Sequence, residues 1–339
     1  MMQGLPACIL NDTRVDLHHG CHRVMLALHE LLGQSGFSVA ASSPAHTDWT
    51  STPSFLKALE ACRLIVVNGE GTIHHDRPAG RKLLEVAAWA RARQIPAVLL
   101  NAGWESNSAA LASMAKDFAL VSVRDSASAQ ALRAQGVSCR VVPDLSLYAG
   151  PWSSDSPRGD AILFSDSVEP SKALGLEKAR QACSGEPLSI IHSNPGLAGY
   201  LSFIRGPIAK ADLAHPMRAL KLARMRHRLH RVSSPDTSHF LQRLATGALL
   251  VSGRFHACTL ALCTGTPFIS VPSNTGKITA LIQDAGLDPR REQTPLDCAS
   301  LRKAQASGWS TGEAHALTSY VASAKTAADA LFADIRCLV

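Results

Sequence analysis

The chain has no C-x-x-C pair, although nine cysteines are scattered from Cys8 to Cys337. That spacing excludes a zinc ribbon or a dithiol redox centre, and the odd count fits buried reduced thiols better than a disulfide framework. No run approaches the roughly 18 uninterrupted apolar residues of a membrane-spanning helix. The most apolar stretch, Ala248 to Val271, is broken by Arg254 and His256. The start, Met1-Met2-Gln3-Gly4-Leu5-Pro6, lacks a basic n-region, so the expected location is the cytoplasm. Neither half has a G-x-G-x-x-G after its first strand pattern, and no G-x-x-x-x-G-K-[ST] occurs, which argues against nicotinamide and P-loop chemistry. H-E-x-x-H and G-x-S-x-G are missing too, removing the commonest zinc and serine hydrolase signals. Aromatic residues make up only 5% of the chain. None interleaves with the most basic run to stack on bases, so nucleic acid is not expected as a partner.

What remains is a globular composition, with 339 residues, 46% hydrophobic and 18% charged. That length suits two domains, each burying its own core, with a cleft between them. The net charge of +7 favours an anionic partner: phosphate, nucleotide, acidic glycan, a membrane surface or nucleic acid.

Short apolar runs alternate with segments of helical period, the rhythm of a parallel α/β sheet. Strands are predicted at 7–10, 37–41, 64–68, 96–102, 120–124 and 139–142, then again at 161–165, 188–191, 249–252 and 268–271. Each set makes one Rossmann-like domain. The turn-forming cluster between Ala149 and Gly159 reads as a linker. The expected organisation is an N-terminal domain over 1–150, a linker over 151–159, a donor-binding domain over 160–310, and a C-terminal helix over 311–339 that packs back on the first domain.

The segment Leu249-Leu250-Val251-Ser252-Gly253-Arg254-Phe255-His256-Ala257 reads strand, turn, helix, and continues to Gly265-Thr266-Pro267 before another strand. Arg254 and His256 fall where strand gives way to helix, so backbone N–H groups, a fixed cation and an imidazole converge on one anion. The plainer reading pairs Arg254 with a carboxylate and makes His256 a core histidine. Three further segments carry candidate chemistry. Gly69-Glu70-Gly71-Thr72-Ile73-His74-His75-Asp76 follows a strand, with glycines that let backbone approach a ligand; adjacent histidines on a regular element point apart. Arg124 ends a strand beside Asp125 and Ser126, where Ser126 is placed to cap the next helix and Asp125 to pair with the arginine. Lys277, in Asn274-Thr275-Gly276-Lys277, opens another helix as a flexible point charge, or as an ordinary exposed lysine.

These four segments, taken in the order of the chain, resemble the polysaccharide pyruvyl transferase family, whose signature is a strand, then G-R-x-H-A, then a small-residue helix ending in G-x-P. The resemblance runs across most of the chain. It implies a GT-B-like pair of Rossmann-like domains facing a cleft, and transfer of a pyruvyl group from phosphoenolpyruvate to two hydroxyls of one sugar as a cyclic ketal. It places Arg124 and Arg254 at the donor, with His256 as acid/base; by their own positions Lys277 and Gly253 are further donor candidates, and His74 and Asp12 further catalytic candidates. From their loops, Gly69, Glu70 and Gly71 are expected to meet the acceptor, a polysaccharide or its lipid-linked precursor, and His18 and His19 to contact its hydroxyls or serve acid/base work. No metal or other cofactor is expected. The first loop, Asn11-Asp12-Thr13-Arg14-Val15-Asp16-Leu17-His18-His19-Gly20, departs from the family's N-x-G-D type segment. A GT-B-type glycosyltransferase using a CMP- or UDP-linked sugar therefore remains an alternative, as does a non-catalytic glycan- or anion-binding protein. The basic run Arg218 to Arg231 is predicted to be an amphipathic helix, either a solvated face or a contact with anionic lipid at the inner face of the membrane.

Overall fold

The computed structural model describes residues 4–154, 156–192 and 216–339. The chain divides into two compact units, the first formed by Met1–Asp16, Cys21–Tyr148 and Ala322–Val339, the second by Leu17–Gly20 and Ala149–Val321.

The first unit carries β1 (Leu5–Asp12), β2 (Phe37–Pro44), β3 (Leu64–Asn68), β4 (Ala97–Ala102), β5 (Leu120–Val123) and β6 (Arg140–Val141). They form one parallel sheet in the order β2-β1-β3-β4-β5-β6. Every residue of β3 and β4 is buried, as expected of parallel strands covered on both faces. Alternation sorts the side chains into two cores. Cys8, Leu10, Ile65, Val67 and Leu99 face one; Ala7, Ile9, Leu64, Val66, Val98 and Leu100 face the other. The helices α1 (His19–Gln34), α2 (Pro53–Ala61), α3 (Pro78–Arg91), α4 (Ala109–Ala115) and α5 (Ser126–Ala134) connect the strands. Proline opens α2 and α3, where its missing N–H costs nothing. The cap of α5 is Asp125, which accepts from Ser128 N at 2.7 Å; the cap expected at Ser126 lies one residue earlier.

The second unit holds β7 (Ile162–Ser167), β8 (Glu186–Pro187), β9 (Leu249–Gly253) and β10 (Phe268–Ser270) in the parallel order β10-β9-β7-β8. Its helices are α6 (Pro170–Ala182), α7 (Pro216–Arg231), α8 (Thr237–Thr246), α9 (Phe255–Cys263), α10 (Lys277–Asp284) and α11 (Cys298–Ser307). The strand expected at 188–191 is displaced: pairing with β7 occupies Glu186–Pro187, and Ser189 and Ile191 make isolated bridges instead. The turn-rich segment after Ala149 is tied down within the second unit rather than hanging as a linker. Trp152 N donates to Cys263 O (2.8 Å), and Arg158 donates to Gly247 O, Gly265 O and Thr266 Oγ1.

The last helix, α12 (Thr311–Arg336), starts in the second unit and finishes in the first. Ala328, Leu331, Phe332 and Ile335 on its final turns join the core around Val24, Leu28 and Leu31 of α1. Each large side chain buried there contributes about 1.5–3 kcal/mol. Among the described residues, no helix is long and apolar enough to cross a membrane.

Candidate active site

In the second unit β7 and β9 run side by side, with Ser167 opposite Gly253. Ligands of parallel α/β sheets bind beyond this carboxyl edge. Gly253 is required by packing: a Cβ there would lie 2.7 Å from Ser167 Cβ and 3.0 Å from Val271 Cγ2. Arg254 follows in extended backbone at the N-cap of α9 but does not cap it with its side chain. Instead its Nε donates to Asp166 Oδ1 (2.7 Å) and its Nη2 to Asp166 Oδ2 (2.6 Å). This is a bidentate fork with side chains 14% and 4% exposed. The plainer reading of Arg254 thus holds in part, since the arginine is paired, and with a carboxylate 88 residues away in sequence. A fixed, oriented guanidinium is the result. Arg226, half-buried on α7, feels the charges of both Asp166 and Arg254; burial pushes its guanidinium down and Asp166 opposes that.

His256 is buried on the first turn of α9. Its ring meets the edge of His18 at a centroid distance of 5.3 Å and 64°, and it rests on the backbone of Gly20. A Cβ at Gly20 would fall 2.2 Å from both His256 Cβ and Cγ. Leu17–Gly20 is stitched to the second unit by His19 N to Ile190 O (3.0 Å) and His192 N to Leu17 O (2.7 Å), around a His18–Ile191 bridge. His18 Nδ1 accepts from Gly20 N at 3.1 Å. Burial, then the nearby His256, Arg254, His19 and His192, pushes His18 well below the usual imidazole range.

His19 does not fit its expected acceptor role. It is fully buried, stacked on Phe240 (4.7 Å) and tilted against His192 (3.9 Å), with Nδ1 3.3 Å from Thr237 Oγ1. It anchors the loop. Lys277 opens α10 just beyond β10, donating to Asn274 Oδ1 at 3.1 Å.

The remaining candidates lie in the first unit. Glu70 is buried and held by Thr13 Oγ1 (2.9 Å), Cys21 Sγ (2.8 Å) and Asn68 Nδ2 (3.4 Å). Burial and then Glu70 push the Cys21 thiol well up, so it stays protonated and donates. This network organises the ends of β1 and β3. Gly69 is a packing glycine rather than a ligand contact, since its Cβ would lie 2.5 Å from Ala102 Cβ. Gly71 takes φ +65° with open space around it, a left-handed turn conformation that glycine adopts without strain.

His74 and His75 do not point apart, because His75 and Asp76 take left-handed φ of 53° and 50°. Their Nδ1 atoms meet at 2.9 Å, and His75 N bonds Glu105 O. Asp12 is locked to Arg14, which donates from Nε to Oδ1 (2.9 Å) and Oδ2 (3.1 Å). Burial alone would raise this carboxyl, but the Arg14 hydrogen bonds and charge hold it below its usual range, which makes it a poor general base. Arg124 is 5% exposed and pairs with Asp144 at 3.4 Å, not with Asp125.

The sequence model of polysaccharide pyruvyl transferases matches residues 25–275, most of the chain. The chain belongs to the polysaccharide pyruvyl transferase family. Like its family, this pyruvyl transferase family member is an enzyme, a transferase of polysaccharide modification. No curated protein matches the sequence. Among solved structures, a protein described as a UDP-N-acetylglucosamine 2-epimerase from Listeria monocytogenes is 13% identical over 98% of this chain and 96% of its own, with a TM-score of 0.54. An O-GlcNAc transferase mutant from Thermobaculum terrenum is 12% identical over 99% of this chain and 68% of its own (TM-score 0.46). A UDP-GlcNAc 2-epimerase from Methanocaldococcus jannaschii is 10% identical over 94% and 91% (TM-score 0.46). At 13% identity the likeness to the Listeria structure concerns the fold, which is GT-B-like, with two Rossmann-like units that each hold a parallel sheet.

Three residues of the family member's candidate site escaped sequence reasoning: Asp166, Gly20 and Arg226. Asp166 had a usable signal, because Phe164-Ser165-Asp166-Ser167 is an apolar strand turning polar at its carboxyl end, like Val251-Ser252-Gly253-Arg254 beside it. Gly20 and Arg226 had none, since their roles arise from contacts that bring distant segments together.

Proposed function

We propose that this enzyme transfers the pyruvyl group of phosphoenolpyruvate to two hydroxyls of one sugar in a cell-surface polysaccharide or its lipid-linked precursor. The observation that carries the reading is the oriented Arg254–Asp166 fork beside His256 at the carboxyl edge of β7 and β9.

The reaction balances without an oxidant or a metal. Two hydroxyl oxygens form bonds to C2 of the donor, the bond from C2 to the phosphate oxygen breaks, and C3 gains a proton to become methyl. Of the two hydroxyl protons, one ends on C3 and the other on the released phosphate. Protonating C3 develops positive charge at C2 while phosphate departs, so the site needs a proton carrier and fixed cations. His256 supplies the first role. Arg254, oriented by Asp166, supplies the second, with Arg226 adding charge. Lys277, at the start of α10, is assigned to the same donor. Arg124 is assigned to it by the resemblance alone, and its pairing with Asp144 gives it a fixed orientation. The acceptor is assigned to the Gly71–His75 turn.

Calorimetric titration of phosphoenolpyruvate and a phosphate-release assay test these roles, using surface polysaccharide freed of its ketals by mild acid as acceptor. Arg254→Lys keeps charge and loses the planar fork, so donor affinity should fall by roughly 1.5–3 kcal/mol. His256→Ala should leave donor binding largely in place and slow turnover by about 10²–10⁴-fold. A His256→Ala variant that turns over at the wild-type rate would refute the assignment. A nucleotide-sugar glycosyltransferase is the second reading, supported by the GT-B-like fold; it requires UDP or CMP, not phosphoenolpyruvate, to bind.

A further inference from the structure

The first loop lies ahead of the residues that the family model matches, and its Leu17–Gly20 stretch belongs to the second unit. Its two histidines are not equivalent. His19 is sealed in a stack of rings, whereas His18 is half-buried and meets the edge of His256 at 5.3 Å. A backbone N–H can donate only to a lone pair, so the bond from Gly20 N to His18 Nδ1 at 3.1 Å leaves the ring's proton on Nε2. Burial first, and then the nearby His256, Arg254, His19 and His192, oppose a positive charge on the ring. His18 is therefore held in one tautomer, by the main chain on one side and by its surroundings on the other.

A neutral imidazole with a fixed Nε2–H is a poor proton carrier and a good hydrogen-bond donor. Its value lies where negative charge develops, because a preorganised donor needs no reorganisation as the bond breaks. In the proposed reaction that place is the oxygen bridging C2 and phosphorus, which takes the electron pair as phosphate leaves. We propose that His18, fixed as its Nε2–H tautomer by the Gly20 N–H, is a neutral hydrogen-bond donor to the departing phosphate, acting alongside Arg254 and distinct in role from the proton carrier His256. This inference rests on the pyruvyl-transfer reading for its substrate and on the loop geometry for its donor.

Two arms test it separately. In the first, nitrogen-15 NMR of histidine-labelled protein at pH 7 should show His18 neutral with its proton on Nε2, and adding inorganic phosphate should shift that nitrogen. A charged His18, an Nδ1–H tautomer, or no response to saturating phosphate would overturn the proposal, and this arm needs no turnover. In the second arm, His18→Ala should lower kcat for phosphate release by about 10²–10³-fold, the usual loss for one such donor. Donor dissociation constants should move less than about threefold. His18→Gln, whose amide N–H₂ reaches the Nε2 position, should recover to within about tenfold of wild type. Equal losses in Ala and Gln would show that a proton is transferred instead, and an Ala variant at the wild-type rate would remove His18 from the chemistry. If wild-type protein releases no phosphate from phosphoenolpyruvate, the pyruvyl-transfer reading fails, and the NMR arm alone still decides whether His18 is a fixed neutral donor to phosphate.

Discussion

Removing the Asp166 carboxylate should damage the second unit more than any other single change at the candidate site. Arg254 and Asp166 share two charge-assisted hydrogen bonds with side chains 14% and 4% exposed. Asp166→Ala would leave that guanidinium buried beside Arg226 without the carboxylate that offsets both. Breaking one side of a buried pair costs about 3–5 kcal/mol, mostly the desolvation of the charge left behind. For a unit of this size each kcal/mol shifts Tm by about 2–4 °C, so the variant should melt roughly 6–20 °C lower. Replacing both partners removes the orphaned charge, so Asp166→Ala with Arg254→Met should be more stable than the sum of the single losses by about 0.5–3 kcal/mol. Urea denaturation of wild type, both single variants and the double variant measures this coupling. Additive losses, or an Asp166→Ala cost below about 1 kcal/mol, would show that the fork contributes nothing and that Arg254 is not oriented by it.

Four further outcomes are expected. Gly20→Ala forces a Cβ into His256, at 2.2 Å from its Cβ and Cγ, so phosphate release should fall at least tenfold while circular dichroism stays close to wild type; full activity would mean that the contact is not maintained. Glu313 is held at about 2 against an ordinary 4.5: burial opposes this, and Arg291 and Ser310 overcome it. A depressed carboxyl stabilises above its unfolded pKa, so about 3 kcal/mol should be present at pH 7 and lost as pH falls from about 4.5 toward 2. Glu313→Gln should flatten that part of the stability curve, and an unchanged slope would discard the assignment. Of nine free thiols, Cys298 is half-buried and Cys337 exposed while the rest are buried, so Ellman titration should find two fast thiols in native protein and nine after denaturation; more than two fast thiols would contradict the burial. Helix α7 exposes Arg218, Lys221, Arg224, His227 and Arg231 together with Met217 and Leu220, so sedimentation with anionic vesicles should weaken with salt and in Arg224→Glu, and salt-independent or absent binding would leave a solvated face.

The sheet rhythm was legible because buried parallel strands such as Leu64–Asn68 and Leu249–Gly253 are continuous apolar runs, and local composition records them directly. The position of Arg254 and His256 at a strand end was legible for the same reason. Partners were not. Arg254 finds Asp166 and Arg124 finds Asp144 across neighbouring strands, and no local pattern states which carboxylate will arrive. Glycines misled in the same way: Gly69 and Gly253 looked like ligand contacts, yet each is demanded by a side chain on the adjacent strand. His74 and His75 were misjudged because the rule that neighbours diverge assumes regular backbone, which two left-handed residues break. The first loop was the hardest case, since His18 and His19 are told apart by what Ile190 to His192, α8 and α9 bring to them.

The central claim, a phosphoenolpyruvate-dependent transferase, is tested most directly by a thermal-shift panel of phosphoenolpyruvate, CMP, UDP and GDP on wild type and Arg254→Lys. A ligand at 100 times its dissociation constant stabilises the state it binds by about 2.7 kcal/mol. Phosphoenolpyruvate should raise the Tm of wild type and have a much smaller effect on Arg254→Lys at the same concentration. A response to UDP or CMP with none to phosphoenolpyruvate would contradict the account and establish the nucleotide-sugar reading in its place.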